Sequence, residues 1–161
     1  MLKTGNIREA QARRRVLAVS SGGGHWVQLL RVVPAMAEQD VAFVTVDASY
    51  RTQIPPGNRF YTVCDATRWN KVRLLRMGLK LMWILLRERP DVVISTGAAP
   101  GFFALRAGHF LGARTVWIDS IANVERLSLS GQKIGPYATL WLTQWPHLAR
   151  QDGPHYAGAV L

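Results

Sequence analysis

The sequence predicts an α/β fold, a Rossmann-like parallel sheet with helices on both faces. Three observations point there. Short apolar, β-branched runs recur along the chain, helix-length segments lie between several of them, and small-residue loops follow the runs directly. The runs are 16–21 (VLAVSS), 41–46 (VAFVTV), 61–64 (YTVC), 91–95 (DVVIS), 115–119 (TVWID) and 140–143 (LWLT). Their apolar residues run on instead of alternating, which marks strands buried on both faces. The segments 25–37, 69–89 and 100–111 are long enough to be the helices. Ligands in such sheets bind at the carboxyl ends of the strands.

The totals agree with a single globular domain. The chain has 161 residues, 48% hydrophobic and 19% charged. Its net charge of +10 calls for a polyanionic neighbour: a nucleic acid, an acidic membrane surface or a phosphorylated substrate. Cys64 is the one cysteine, so no internal disulfide forms, and a reducing compartment fits. The opening MLKTGNIREAQARRR is basic but has no apolar core or cleavage site, so no signal peptide is expected. The longest charge-free stretch, 134–149, contains Pro136 and Pro146 and falls short of the roughly 20 apolar residues a spanning helix needs. The expected organisation is a basic segment over 1–15, one domain over 16–150, and a tail over 151–161. That tail reads as loose, or as a connection to something else.

The first strand ends in Ser21-Gly22-Gly23-Gly24-His25, and a helix follows at once. Glycines there let backbone N–H groups approach an anion, and the helix N-terminus adds partial positive charge. A phosphate-bearing ligand suits this loop; a tight turn with no ligand is the plainer alternative. It is no P-loop, because no Gly-Lys-Ser/Thr follows. A dinucleotide fingerprint is also weak. Asp47 ends the second strand where a ribose contact belongs, but Val27 stands where the third glycine should be. His25 sits at the loop tip, and an imidazole there suits general-base work near neutral pH. It can equally be a loop histidine that bonds only the backbone.

A second loop, Ser95-Thr96-Gly97-Ala98-Ala99-Pro100-Gly101, again leaves a buried strand and opens a helix, with Pro100 in the first turn. A third, after TVWID, presents Asp119, Ser120 and Asn123. Asp119 is the best carboxylate for taking a proton or holding sugar hydroxyls, and its alternative is an N-cap.

The segment 69–89 (WNKVRLLRMGLKLMWILLRER) has more apolar surface than one packed face needs. At about 100° per residue, Arg73, Arg76, Lys80 and Arg87 fall in one stripe, with Trp83 nearby. The surplus suits a bilayer interface with anionic headgroups, or burial between the sheet and another subunit. The four histidines lack ligand spacing with each other or with Cys64, so no metal or cofactor is expected. No Gly-x-Ser-x-Gly elbow occurs. Basic residues are not interleaved with aromatics, so nucleic acid is not the expected partner.

The stretches VLAVSSGGGHWVQLL and DVVISTGAAPGFFALRAGHFLGARTVWIDSIANVERLSLSGQKIGPYATLWLTQWPHLA carry a resemblance. From about residue 16 to 149 the chain resembles bacterial PssD-type polysaccharide biosynthesis proteins. These are related to the membrane-anchoring subunit of the eukaryotic two-component GlcNAc transferase that makes dolichol-linked chitobiose. More distantly the chain is similar to the N-terminal half of MurG. The resemblance implies the N-terminal, acceptor-binding half of a GT-B glycosyltransferase that is inactive without a donor-binding (PssE-type) subunit. The implied acceptor is a polyprenyl-diphosphate-linked sugar, and the UDP-sugar comes through the partner. Gly22, Gly23, Gly24 and His25 then match the first loop, with Ser21 beside them as an expected binding residue, and Thr96, Gly97, Pro100 and Gly101 match the second. Asp119 and Ser120 match an acidic turn that is often Glu-Ser in relatives, and Ser128, Ser130 and Gly131 match an LSLTG-type segment. By their positions in these loops, His25, or else Asp119, is the catalytic candidate for removing the acceptor hydroxyl proton. The hydrophobic anchor of the eukaryotic subunits has no counterpart at the basic N-terminus, so attachment at the cytoplasmic face is expected from the 69–89 helix (Arg73, Arg76, Lys80, Trp83 and Arg87), from the arginines at 13 to 15, or from the partner. A nucleotide-binding regulatory or redox domain using Asp47, and a non-catalytic membrane scaffold, are the alternatives.

Overall fold

A computed structural model describes residues 13–66 and 69–160. Seven strands form one parallel sheet: β1 (Arg15–Val19), β2 (Asp40–Thr45), β3 (Arg59–Thr62), β4 (Val92–Ser95), β5 (Arg114–Ile118), β6 (Leu140–Thr143) and β7 (His155–Tyr156). They lie in the order β3-β2-β1-β4-β5-β6-β7, every neighbouring pair parallel. The helices are α1 (Gly24–Val32), α2 (Lys71–Glu88), α3 (Ala98–Phe110) and α4 (Leu129–Ile134). The chain works outward from β1 to β3, then returns to lay β4 on the other side of β1. This reversal leaves a crevice at the carboxyl ends of β1 and β4, the place where doubly wound sheets bind ligands.

Alternation along β1 builds the two cores. Leu17 and Val19 face one side, packed with Met77, Leu81, Ile84 and Leu85 of α2 and with Ala104 and Leu105 of α3. Val16 and Ala18 face the other, against Trp26 and Leu29 of α1. The sheet therefore has helices on both faces, as the sequence predicts.

The elements differ from expectation in ways the residues explain. The helix expected over 25–37 stops at Val32 and tightens into a 3₁₀ turn over Val33–Met36, because Pro34 cannot donate in a helix interior. The strand expected over 61–64 begins two residues earlier, at Arg59. There the guanidinium reaches Asp40 Oδ1 at 3.0 Å and Glu88 Oε2 at 2.8 Å. The helix expected over 100–111 starts at Ala98. The expected tail over 151–161 is not loose in its described residues, 151–160. Its His155–Tyr156 pairs with β6, Val160 N–H donates to Gln144 Oε1 at 2.9 Å, and Arg31 donates to the Val160 carbonyl at 3.2 Å. Of the basic segment over 1–15, residues 1–12 lie outside the described residues, and Arg15 already opens β1. Among the described residues no helix is long and apolar enough to cross a membrane.

Candidate functional site

The two glycine loops meet at the switch point, and His25 joins them. Its Nδ1 lies 2.9 Å from the Thr96 carbonyl, while Thr96 Oγ1 donates to the His25 carbonyl at 2.6 Å. A carbonyl can only accept, so Nδ1 carries the proton. In the neutral ring Nε2 then keeps its lone pair, the form a general base requires. The pairing is close enough to dictate Gly97. A Cβ there would stand 2.5 Å from the imidazole Nδ1 and Cε1, and the backbone sits at φ 135°. Next to it Ala98 holds φ 65°, an uncommon conformation for a residue with a Cβ. Such strain gathers at ligand sites.

Both helices that open here lack a side-chain cap. Neither the Gly23 end of α1 nor the Gly97 end of α3 has a side-chain hydrogen bond to its first turn. Their leading N–H groups face the crevice end of the sheet, where helix N-termini favour anions. Gly23 takes φ 63°, and a Cβ added at Gly23 or Gly24 would meet nothing within 4 Å, so that side of the loop is open. Gly22 is different. It packs on Tyr50, whose hydroxyl accepts from Gly23 N–H at 3.0 Å and fixes the loop. Ser21 is half-buried, and its carbonyl accepts from Ser20 and Thr45.

Other residues expected to touch a ligand are buried. Thr96 is fully buried, and Pro100 and Gly101 are buried in the first turns of α3. Gly101 lets α3 approach β4, since a Cβ would meet Ser95 Oγ at 1.9 Å.

Asp119 requires the largest correction. It is 1% exposed, and its carboxylate is saturated. Oδ1 accepts from Ser128 Oγ at 2.6 Å and Trp117 Nε1 at 3.2 Å, and Oδ2 from Ser128 N–H at 2.9 Å and Asn123 Nδ2 at 3.2 Å. Ser128 in turn caps α4 by accepting from Gly131 N–H at 2.8 Å, and a Cβ at Gly131 would press on Asp119. A carboxylate held by four donors braces its loop and has no free lone pair aimed at a substrate. Ser120 is likewise 7% exposed and accepts from Gln28 Nε2 at 3.1 Å.

A polar layer missed in the sequence holds this loop. Buried Gln28 accepts from Ile121 N–H at 3.2 Å, and Gln144 donates to Gln28 Oε1 at 2.6 Å and to the Asp119 carbonyl at 2.8 Å. The available signal was Gln28 itself, a buried amide one turn into an otherwise apolar helix face. Together these contacts wall a cleft of about 480 Å³ lined by His25, Ala98, Asn123, Arg126, Ser128 and Ser130, among others. Beside it lies an apolar groove of about 470 Å³ between α2, α3 and α4. A larger cavity of about 610 Å³, at the amino edge of the sheet, includes Arg14, Arg15, Arg89 and Arg114. Arg89 and Arg114 there lie beside the carboxyl ends of α2 and α3, where cations belong, and far from the glycine loops. Asp47 caps the 3₁₀ turn Ala48–Gln53 through Ser49 N–H at 2.8 Å, and that backbone hydrogen bond lowers its pKa.

On α2, Met77, Leu81, Ile84 and Leu85 are buried, while Val72, Leu75, Leu79, Met82, Trp83 and Leu86 are exposed. At about 100° per residue the exposed set forms one apolar stripe. Arg73, Arg76, Lys80 and Arg87 border it, all exposed, and the Arg87 guanidinium lies 5.5 Å from the Trp83 ring.

Comparison with known proteins places this geometry. The chain is 38% identical to the UDP-N-acetylglucosamine transferase subunit alg14 of Schizosaccharomyces pombe, covering 92% of this chain and 84% of that one. It is 25% identical to the corresponding subunit of Yarrowia lipolytica, covering 94% and 68%. Among solved structures, Acinetobacter baumannii MurG superposes with a TM-score of 0.72 at 14% identity. That match covers 91% of this chain but 45% of MurG, so the chain spans less than half of that protein. The UDP-N-acetylglucosamine 2-epimerase of Rickettsia bellii gives 0.68 at 12% identity, over 92% of this chain and 45% of the epimerase. At such identities the likeness concerns the fold alone, and it spans less than half of each of these proteins. The model of the family described as "Oligosaccharide biosynthesis protein Alg14 like" matches residues 56–160, and the chain belongs to that family.

Proposed function

We propose that this chain is the acceptor-binding, membrane-associating subunit of a two-component inverting glycosyltransferase. In this reading a donor-binding partner supplies the UDP-sugar, and the acceptor is a polyprenyl-diphosphate-linked saccharide at the cytoplasmic face of a membrane. The carrying observation is His25, whose Nδ1 is committed to the Thr96 carbonyl between two uncapped helix N-termini. The subunit names of the relatives support dependence on a partner.

The chemistry follows from the residues. N–H groups of Gly24 and Ala98 and the two helix ends attract the acceptor's diphosphate. Arg126, exposed at the same cleft, adds a full charge. The acceptor hydroxyl attacks the anomeric carbon of the sugar and the bond to UDP breaks, its electrons leaving on the diphosphate. The hydroxyl proton passes to His25 Nε2, and attack opposite the leaving group inverts the anomeric configuration. The imidazolium so formed is held by the Thr96 carbonyl. Asp119 takes no proton in this scheme; it keeps the wall of the cleft in place. The exposed stripe of α2, with its flanking cations, lies on the membrane surface.

His25→Ala tests the assignment in the complex with the donor-binding subunit. A positioned base contributes about 10²–10⁴-fold, so kcat should fall at least tenfold with the far-ultraviolet spectrum unchanged. Undiminished turnover would remove His25 from the role.

A further inference from the structure

The apolar groove adjoins the polar cleft, and the two share a wall. Leu129 and Ser130, on the first turn of α4, line both. On the polar side stand His25, Asn123, Arg126 and Ser128. On the other, Leu74 of α2, Phe102 and Phe103 of α3 and Ala66 make an almost wholly apolar trough, with exposed Lys133 the one charged residue among its described lining. Phe102 and Phe103 stand edge to face, 5.8 Å between centroids, so their rings present a fixed surface. The early turns of α2 that supply Leu74 also carry the exposed Val72 and Leu75.

We infer that this trough holds the first isoprene units of the acceptor's tail, while the cleft holds its diphosphate and sugar. The inference rests on the proposed acceptor role and adds a location for the lipid. Two adjoining cavities of opposite polarity fit a ligand with a charged head and a hydrocarbon tail. A trough of about 470 Å³ lies within the size range of small-molecule sites. The tail leaves it along α2, toward the surface on which that helix lies. Lys133 places a cation on the trough, one helical turn along α4 from the shared wall. Selectivity for an allylic lipid carrier over a free sugar nucleotide then comes from buried hydrocarbon, not from another polar contact.

The test is calorimetric titration of the full chain with geranyl, farnesyl and geranylgeranyl diphosphate, with inorganic diphosphate and farnesol as head-only and tail-only probes. Affinity should rise about tenfold from geranyl to farnesyl diphosphate, from burial of one more isoprene unit. Leu74→Gln, which lines the trough and not the cleft, should remove most of that gain and leave inorganic diphosphate binding unaltered, with the far-ultraviolet spectrum unchanged. Equal affinity for all three chains and for inorganic diphosphate would overturn the trough while sparing the diphosphate site. A length dependence untouched by Leu74→Gln would overturn it as well, since the tail would lie elsewhere. Farnesol binding as tightly as farnesyl diphosphate would support the trough and count against the glycine loops. No binding by any probe would remove both.

Discussion

At the scale of single residues, the site depends on a contact between two loops that are far apart in sequence. His25 and Thr96 exchange two hydrogen bonds across 71 positions, and Gly97 has no side chain because the imidazole occupies that space. Gly97→Ala should therefore cost about 2 kcal/mol, from backbone strain and displacement of the ring. Thermal unfolding would register the loss, and transfer activity in the complex should fall with it. An unchanged melting temperature would mean that the imidazole is not held as described. The sequence made His25 and the glycine loops legible because loop glycines before a helix have a local chemical reason. It left Asp119 ambiguous between base and cap, and the structure resolves this through Ser128, Asn123 and Trp117, whose side chains converge on the carboxylate. No spacing rule reveals that convergence. Gln28 and Gln144 stayed hidden for the same reason: they meet across 116 positions.

At the scale of elements, the strands and the three long helices could be read because a doubly buried strand and an amphipathic helix each leave a periodic signature. The short pieces could not. α4 has six residues, and its start is set by the Ser128 cap, while β7 has two residues and exists through pairing with β6. Neither carries a period long enough to recognise. α2 is the element whose sequence asked for a second environment, and its structure leaves Val72, Leu75, Leu79 and Leu86 more than half exposed beside four cations. Each basic side chain near an anionic surface contributes about 1 kcal/mol. The full chain alone should therefore sediment with vesicles containing phosphatidylserine, and less so at high salt. Replacing Leu79 and Trp83 together with Asp should lower the bound fraction about tenfold with little change in melting temperature, because both are exposed. Vesicle binding that appears only with a partner subunit would assign the stripe to that subunit instead.

At the scale of the whole molecule, the fold superposes on 45% of MurG. The order of the strands was beyond sequence reading, since it depends on which strand returns beside β1. Once it is known, the crevice between β1 and β4 follows, and with it the meeting of both glycine loops. What the chain contains is a crevice with a poised imidazole, two uncapped helix ends and an apolar trough beside them. In the proposed division of labour this crevice takes the acceptor, and another subunit takes the donor. Sugar transfer from UDP-N-acetylglucosamine and other UDP-sugars to a polyprenyl-diphosphate-linked sugar tests that division. The assay uses this chain alone, the donor-binding subunit alone and both together. Product only in the mixture is the predicted result, and full-rate transfer by the donor-binding subunit without this chain would contradict it.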